Sequence, residues 1–286
     1  MTAATVVALH VLQECVRRRV FLVVLVLSLL FLALFAFASA EVFHAIHSLV
    51  TNGETGTLDT RGLASVTLIG LGMFATLFLG AVLAVFLTLG AVRGDADRGL
   101  LQPLVVRPLG RSELLLGRFA GAAAVCASYV VALYAAVIVI VHVTGGRWPD
   151  RIVGPGLALV AAVTVLVTLS LLGSVLLSTV ANGIAMFMVF GAGLVAGLLA
   201  TIGTALNSHT VASIAHDLSL VLPFEAIYQA GLHALAADQT GFTGVLINLG
   251  PFGSSHAGGL GLDAWTVVYV VLIGAAALAL FARRDL

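Results

Sequence analysis

Long apolar runs separated by short polar stretches organise this chain of 286 residues. A helix needs about 20 consecutive apolar residues to cross a hydrocarbon core about 30 Å thick. Charge-free runs of that order predict six membrane-spanning helices, over about 20–40, 65–92, 119–141, 157–180, 184–206 and 265–281. From Leu157 to Leu206 the chain has no ionisable side chain for 50 residues, too long for one span. Ala181, Asn182 and Gly183 are the expected turn between the fourth and fifth spans. Trp265 stands where an interfacial aromatic would anchor the sixth. The expected fold class is an all-α integral membrane protein, with residues 1–286 forming a single transmembrane domain.

The stretches outside the runs are patterned too. His10, Gln13, Glu14 and Arg17 share one helical face while Val7, Val11, Leu12 and Cys15 populate others, as in an amphipathic helix lying on a membrane surface. Ordinary flanking residues of a long first helix are the other reading. Arg17 to Arg19, the apolar run and Ala38-Ser39-Ala40 imitate a cleaved signal peptide, but the run exceeds the roughly 7–15 residues such signals use. A retained helix is expected. Between the fifth and sixth spans lies a long polar-to-apolar segment, 207–264. Its first half, Val211 to Ala237, is moderately apolar, broken by Pro223, and carries His216, Asp217, Glu225 and His233. It suits a re-entrant or interfacial helical pair. The glycine-rich second half, Asp238 to Gly261, reads as irregular structure.

Composition agrees with a membrane location. Hydrophobic residues make up 61% of the chain and charged residues 9%, against about 25% charged in soluble domains. Mean hydropathy is +1.17. Arginine placement orients the spans, because positive flanks stay cytoplasmic. Arg17, Arg18, Arg19, Arg93, Arg98, Arg107, Arg111, Arg118, Arg283 and Arg284 fall on one side of a six-span layout, and only Arg61, Arg147 and Arg151 fall opposite. Both termini and the segment 93–118 are therefore expected in the cytoplasm, with the chain in the cell membrane. A formal net charge of zero suggests no nucleic-acid partner. Cys15 and Cys126 imply no disulfide framework.

Several chemistries are disfavoured. A phosphate-binding P-loop needs a lysine, and the chain has none. Ion-coupled transporters place ionisable groups inside their spans, and these span interiors are uncharged. Ser170, Ser174 and Ser178 form a stripe on the fourth span, but no histidine faces it from another span interior, so the stripe reads as helix-packing glue. Gly117 with Gly121, and Gly193 with Gly197, are spaced for close helix approach. Glu41, His44 and His47 supply imidazole and carboxylate ligands of the type that hold a transition metal, although histidine is also an ordinary interfacial residue.

The remaining feature is a charged island, Asp95 to Arg118, in an otherwise oily chain. Asp95, Asp97, Arg98, Arg107, Arg111 and Glu113 keep it in water, while Leu100, Leu101, Leu104 and Val105 give it an apolar side. A short helix bounded by Pro103 and Pro108 is expected, lying across the end of the bundle and offered to a partner. Ser112 would cap the next helix, with Glu113 in its first turn. A solvated turn held by its arginines is the alternative.

The string Asp97-x-Gly99-x-x-x-Pro103-Leu104, then Arg107-Pro108-Leu109-x-Arg111, then Leu114-Leu115-Leu116-Gly117-Arg118-x-x-Gly121 resembles the stretch between the second and third spans of ABC-2 type ATP-binding cassette transporter permeases. Leu100 departs from the threonine common there, and Arg118 from the lysine. Six spans, an amphipathic N-terminal helix and a long outer segment before the last span match that family's layout over the whole chain.

The resemblance implies a type V exporter-like bundle with re-entrant outer helices between spans five and six. It implies a coupling helix, with Asp95, Asp97, Arg98, Gly99, Leu101, Pro103, Arg107, Pro108 and Arg111 meeting a separate ATPase subunit. ATP and Mg would be bound by that partner, leaving this chain without a cofactor or an ATPase site of its own. A second permease subunit, identical or paralogous, would complete an export path between the two, lined by spans two and five. Thr67, Thr76, Thr88 and Met186, with Asn182, are the path candidates, and so apolar a lining favours a lipophilic or amphipathic cargo. The alternatives are a permease-fold device that drives an outer-surface protein partner without solute flux, and an ATP-independent secondary transporter.

Overall fold

The computed structural model describes residues 19–51, 60–89, 111–146, 148–149, 151–236 and 258–283. The chain order within them is α1 (Arg19–Thr51), α2 (Thr60–Thr88), α3 (Arg111–Gly145), α4 (Val153–Leu176), α5 (Thr179–Ala205), α6 (His209–Val221), α7 (Pro223–Ala236) and α8 (Leu260–Ala282). No strand occurs among the described residues. Six helices, all but α6 and α7, are long and apolar enough to cross a membrane. They run past the apolar cores on which the spans were drawn: α1 continues through Glu41, His44 and His47, and α3 through His142. Polar residues cost a helix nothing once its end reaches the interface. The expected N-terminal surface helix and the glycine-rich stretch before α8 lie outside the described residues.

Helix α4 is the hub, packing against α2, α3, α5, α7 and α8. Close approach rests on missing side chains. A methyl on Gly72 would overlap Val137 of α3, and one on Gly80 would overlap Val163 of α4. Such contacts replace the hydrophobic drive that helices lose in lipid. Met73, Leu77, Leu83, Val130, Val137, Leu159, Val163 and Leu166 fill the shared core. Helix α1 is more peripheral. It rides along α3 through Ser28 to the Tyr129 hydroxyl (2.5 Å), Ser39 to Thr144 (2.6 Å) and Phe43 seated on Gly145.

The turn expected at Ala181-Asn182-Gly183 is instead at Leu177 and Ser178, and Thr179 already starts α5. Asn182 is fully buried within that helix and uses its side chain on α4. Its turn propensity is overridden by an interhelical bond. Helix α3 begins at Arg111, so Ser112 sits inside the first turn and is not its cap. Two helices end in left-handed residues: Gly146 (φ 73°) returns its N–H to His142 O, and Asn207 (φ 51°) precedes Ser208, whose N–H reaches Gly203 O. Both satisfy carbonyls that an open helix end would orphan.

The segment after α5 folds as a helical pair, α6 and α7, bent by 108°. Pro223 starts α7 where no helical N–H is needed. The last carbonyls of α6 find donors on α8: Trp265 Nε1 gives its proton to Leu220 O (3.0 Å) and the Tyr269 hydroxyl to Val221 O (2.8 Å). Exposed backbone is tolerated at membrane depth only when satisfied in this way. Trp265 is thus an anchor for the hairpin bend as well as an aromatic near a helix start.

Candidate functional site

In the chain the island lies between the end of α2 and the start of α3. Residues 90–110 lie outside the described residues, and with them Asp95, Asp97, Arg98, Gly99, Leu101, Pro103, Arg107 and Pro108; Arg111 opens α3. What the structure describes is the seat of the island.

On one side of that seat, Thr88, the last residue of α2, is buried and shares a 2.5 Å hydrogen bond with the Ser170 hydroxyl of α4. Asn182 Nδ2 of α5 donates to Ser170 O at 3.0 Å. Helix α4 comes close here because Gly173 has no side chain; a methyl would overlap Asn182 Oδ1. On the other side, Leu115 from the first turns of α3 packs with Leu171 and Val175 of α4 and with Ala277 and Phe281 of α8. Both helix ends that flank the island are therefore fixed to the same last turns of α4. The serine stripe resolves accordingly: Ser170 bridges helices, Ser174 bonds back to Leu171 O at 2.7 Å, and Ser178 is exposed in the turn.

The four path candidates do not share a surface. Thr76, Thr88 and Met186 point into the core of the bundle, and the Thr76 hydroxyl donates to Gly72 O of its own helix at 2.7 Å. Thr67 faces outward. The exposed stripe of α2 is Thr67, Leu71, Phe78 and Phe86, and α5 exposes Phe187, Met188, Val195 and Leu198 along its length. Sequence reasoning missed these because α2 is apolar all round. With no polar face to set its phase, only packing reveals which side is free.

Nor are the metal candidates gathered. Glu41, His44 and His47 are all exposed along α1, and the neighbour that reaches His47 is a cation: Arg61 Nη2 lies 3.3 Å from His47 Nδ1. Among the described residues, no group of three His, Cys, Asp or Glu side chains is placed to hold a metal ion.

A family profile described as ABC-2 family transporter protein matches residues 5–286. The chain belongs to the ABC-2 transporter family. No curated protein matches it closely enough to count as a relative. Members are multi-pass membrane subunits, and membership implies ABC ATPase partners.

Proposed function

We propose that this chain is the permease subunit of an ABC exporter, moved through residues 93–118 by ATPase subunits bound at that end of the bundle. The observation that carries this reading is the common anchorage of α2 and α3 on the last turns of α4, through Thr88–Ser170 and Leu115–Leu171. Displacing the island moves three helices together, and Asn182 ties the start of α5 to the same place. Packed interfaces of this kind switch between discrete arrangements and do not deform smoothly.

The arginine bias puts both termini and the island in the cytoplasm of a cell-membrane protein. A second permease subunit completes the path, which runs along the free faces of α2 and α5. Those faces are apolar, with Leu71, Phe78, Phe86 and Met188 among their exposed residues, which suits a lipophilic or amphipathic cargo. ATP and Mg belong to the partner subunits.

Cross-linking the tagged chain in its native membrane and identifying co-purifying proteins by mass spectrometry tests the partnership. A stoichiometric ATPase with Walker motifs is expected; its absence, with cross-links inside the chain plainly captured, rejects the reading. With that ATPase in hand, Arg98→Glu and Arg111→Glu are expected to weaken ATPase binding by at least about tenfold while membrane insertion persists. Unchanged binding in both variants removes the arginines from the contact.

A further inference from the structure

Nothing in the coupling reading uses the polar face that α7 turns toward α5. Glu225, Tyr228 and Gln229 lie at i, i+3 and i+4 on that helix, and their exposures are 4%, 3% and 8%. Gln229 Nε2 donates to Glu225 Oε1 at 3.1 Å. Glu225 Oε2, the Tyr228 hydroxyl and Gln229 Oε1 are buried without a hydrogen-bond partner.

Among the described residues, the helices around this face bring no counter-charge to it. Helices α4 and α5 have no ionisable residue at all. Arg61 of α2 is exposed at the far end of that helix and engages His47. His209, His216 and Asp217 of α6 are exposed. On α8, Asp263 lines a crevice with Arg151 and His233, away from Glu225, and Tyr269 is committed to Val221 O. An ionised carboxylate in such surroundings bears its full desolvation cost.

Space then selects the ligand. The α5 backbone closes on the carboxyl at Gly197, where a methyl would overlap Glu225 Oε1 and crowd Gln229 Nε2. One turn away, the Phe224 ring fills the gap over Gly193. On the Oε1 side a metal ion or an ammonium group would have to force α5 and α7 apart; a proton needs no room. Protonation also converts Oε2 from an acceptor with nothing to accept into a hydroxyl donor, with unpartnered acceptors on the same helical face.

We propose that Glu225 is a proton-binding site in the re-entrant hairpin, loaded while α7 is seated on α5 and emptied to the compartment opposite the island when the hairpin lifts. Proton release leaves a carboxylate that needs water, so deprotonation and unseating are one event. Burial, opposed only by the Gln229 amide, pushes the carboxyl up to about 7, which puts the exchange near neutral pH. The site shares no residue with the island or its seat.

The test uses the full chain in lipid nanodiscs. Infrared difference spectra across roughly pH 5.5–8.5 are expected to show a protonated-carboxyl band that disappears on raising the pH and that Glu225→Gln lacks. Hydrogen exchange in α7 is expected to rise over the same range by about tenfold beyond the intrinsic pH effect in the native chain, and not in Glu225→Gln. A band that persists in Glu225→Gln, or identical exchange profiles in the two proteins, overturns the proposal. If Glu225→Gln fails to insert, Gly197→Ala decides: its methyl should loosen the seat and lower the midpoint of the band, and an unmoved midpoint places the titrating acid elsewhere and overturns the assignment.

Discussion

Two buried polar clusters sit toward opposite ends of the bundle, and they are built on different terms. At the island end, Thr88, Ser170 and Asn182 tie α2, α4 and α5 with neutral hydroxyls and an amide. At the other end, Glu225 and Gln229 meet α5 beside Tyr228, an ionisable group among them, and most of the capacity of the three is unpaired. Both are as deeply buried as the surrounding leucines and valines. The first does not depend on pH, because nothing in it titrates near neutrality. The second holds only while its carboxyl is neutral. On the two proposals made above, the bundle pivots at the second seat while force enters through the first.

The largest expected effect breaks the conditional seat outright. Phe224 is fully enclosed, stacks on Phe190 with ring centroids 5.8 Å apart, and fills the space that Gly193 leaves. Phe224→Ala is expected to cost about 3–5 kcal/mol, as for other fully buried aromatic truncations. The loss should be local. Hydrogen exchange should speed up throughout α6 and α7, while α2, α3 and the island end of α4 keep their protection. A uniform loss across all helices would mean that the two seats are one cooperative unit and the contrast between them is empty.

Next in size is the pH dependence of the same seat. A carboxyl whose affinity for its proton is raised by folding contributes fully below its ordinary value near 4.5, and the contribution falls as pH climbs through about 7. The native state binds more protons than the unfolded one in that window, so stability declines with pH there and flattens above it. A rise of this extent corresponds to about 3 kcal/mol. Thermal unfolding of the lipid-embedded chain should show a Tm that drops across that window in the native protein and stays level in Glu225→Gln. Asn182→Leu, at the other seat, should retain the native slope.

These contrasts mark what the sequence could and could not disclose. The six apolar helices were legible because hydropathy reports directly on lipid, and the hairpin before α8 was legible from Pro223 inside a moderately apolar stretch. The pairing of Gly193 and Gly197 was visible as a spacing, but not that Phe224 and Glu225 would lie on them, since those residues come from another helix. Asn182 misled for a related reason. Its preference for turns is a local signal, and its bond to Ser170 O is a tertiary one that outweighs it. Helical phase was the deepest loss. In α2 nearly every position is apolar, so Thr76 and Thr88 looked available to a path when both are buried in the bundle, Thr88 against Ser170 of α4. In a soluble helix the polar face would have shown this; in lipid the outward face is oily too.

The smallest expected effect sharpens the unconditional seat. Interhelical hydrogen bonds in membrane bundles contribute about 0.6 kcal/mol on average and reach about 1.7, because separated helices also find partners. The Thr88 hydroxyl has such an alternative within its own helix, at Ala84 O (2.8 Å). Thr88→Val alone therefore mixes the lost bond to Ser170 with a lost back-bond and a change of shape. A double-mutant cycle with Ser170→Ala separates them, since the single-site costs cancel and the pair term remains. The expected coupling is about 0.6 kcal/mol. It should be the same at about pH 5.5 and 8.5, because neither group titrates in that range. A coupling near zero would leave the α2–α4 junction to apolar packing alone. A coupling that follows pH would show that the island end senses the Glu225 seat across the bundle, and the two regions would then be halves of one switch.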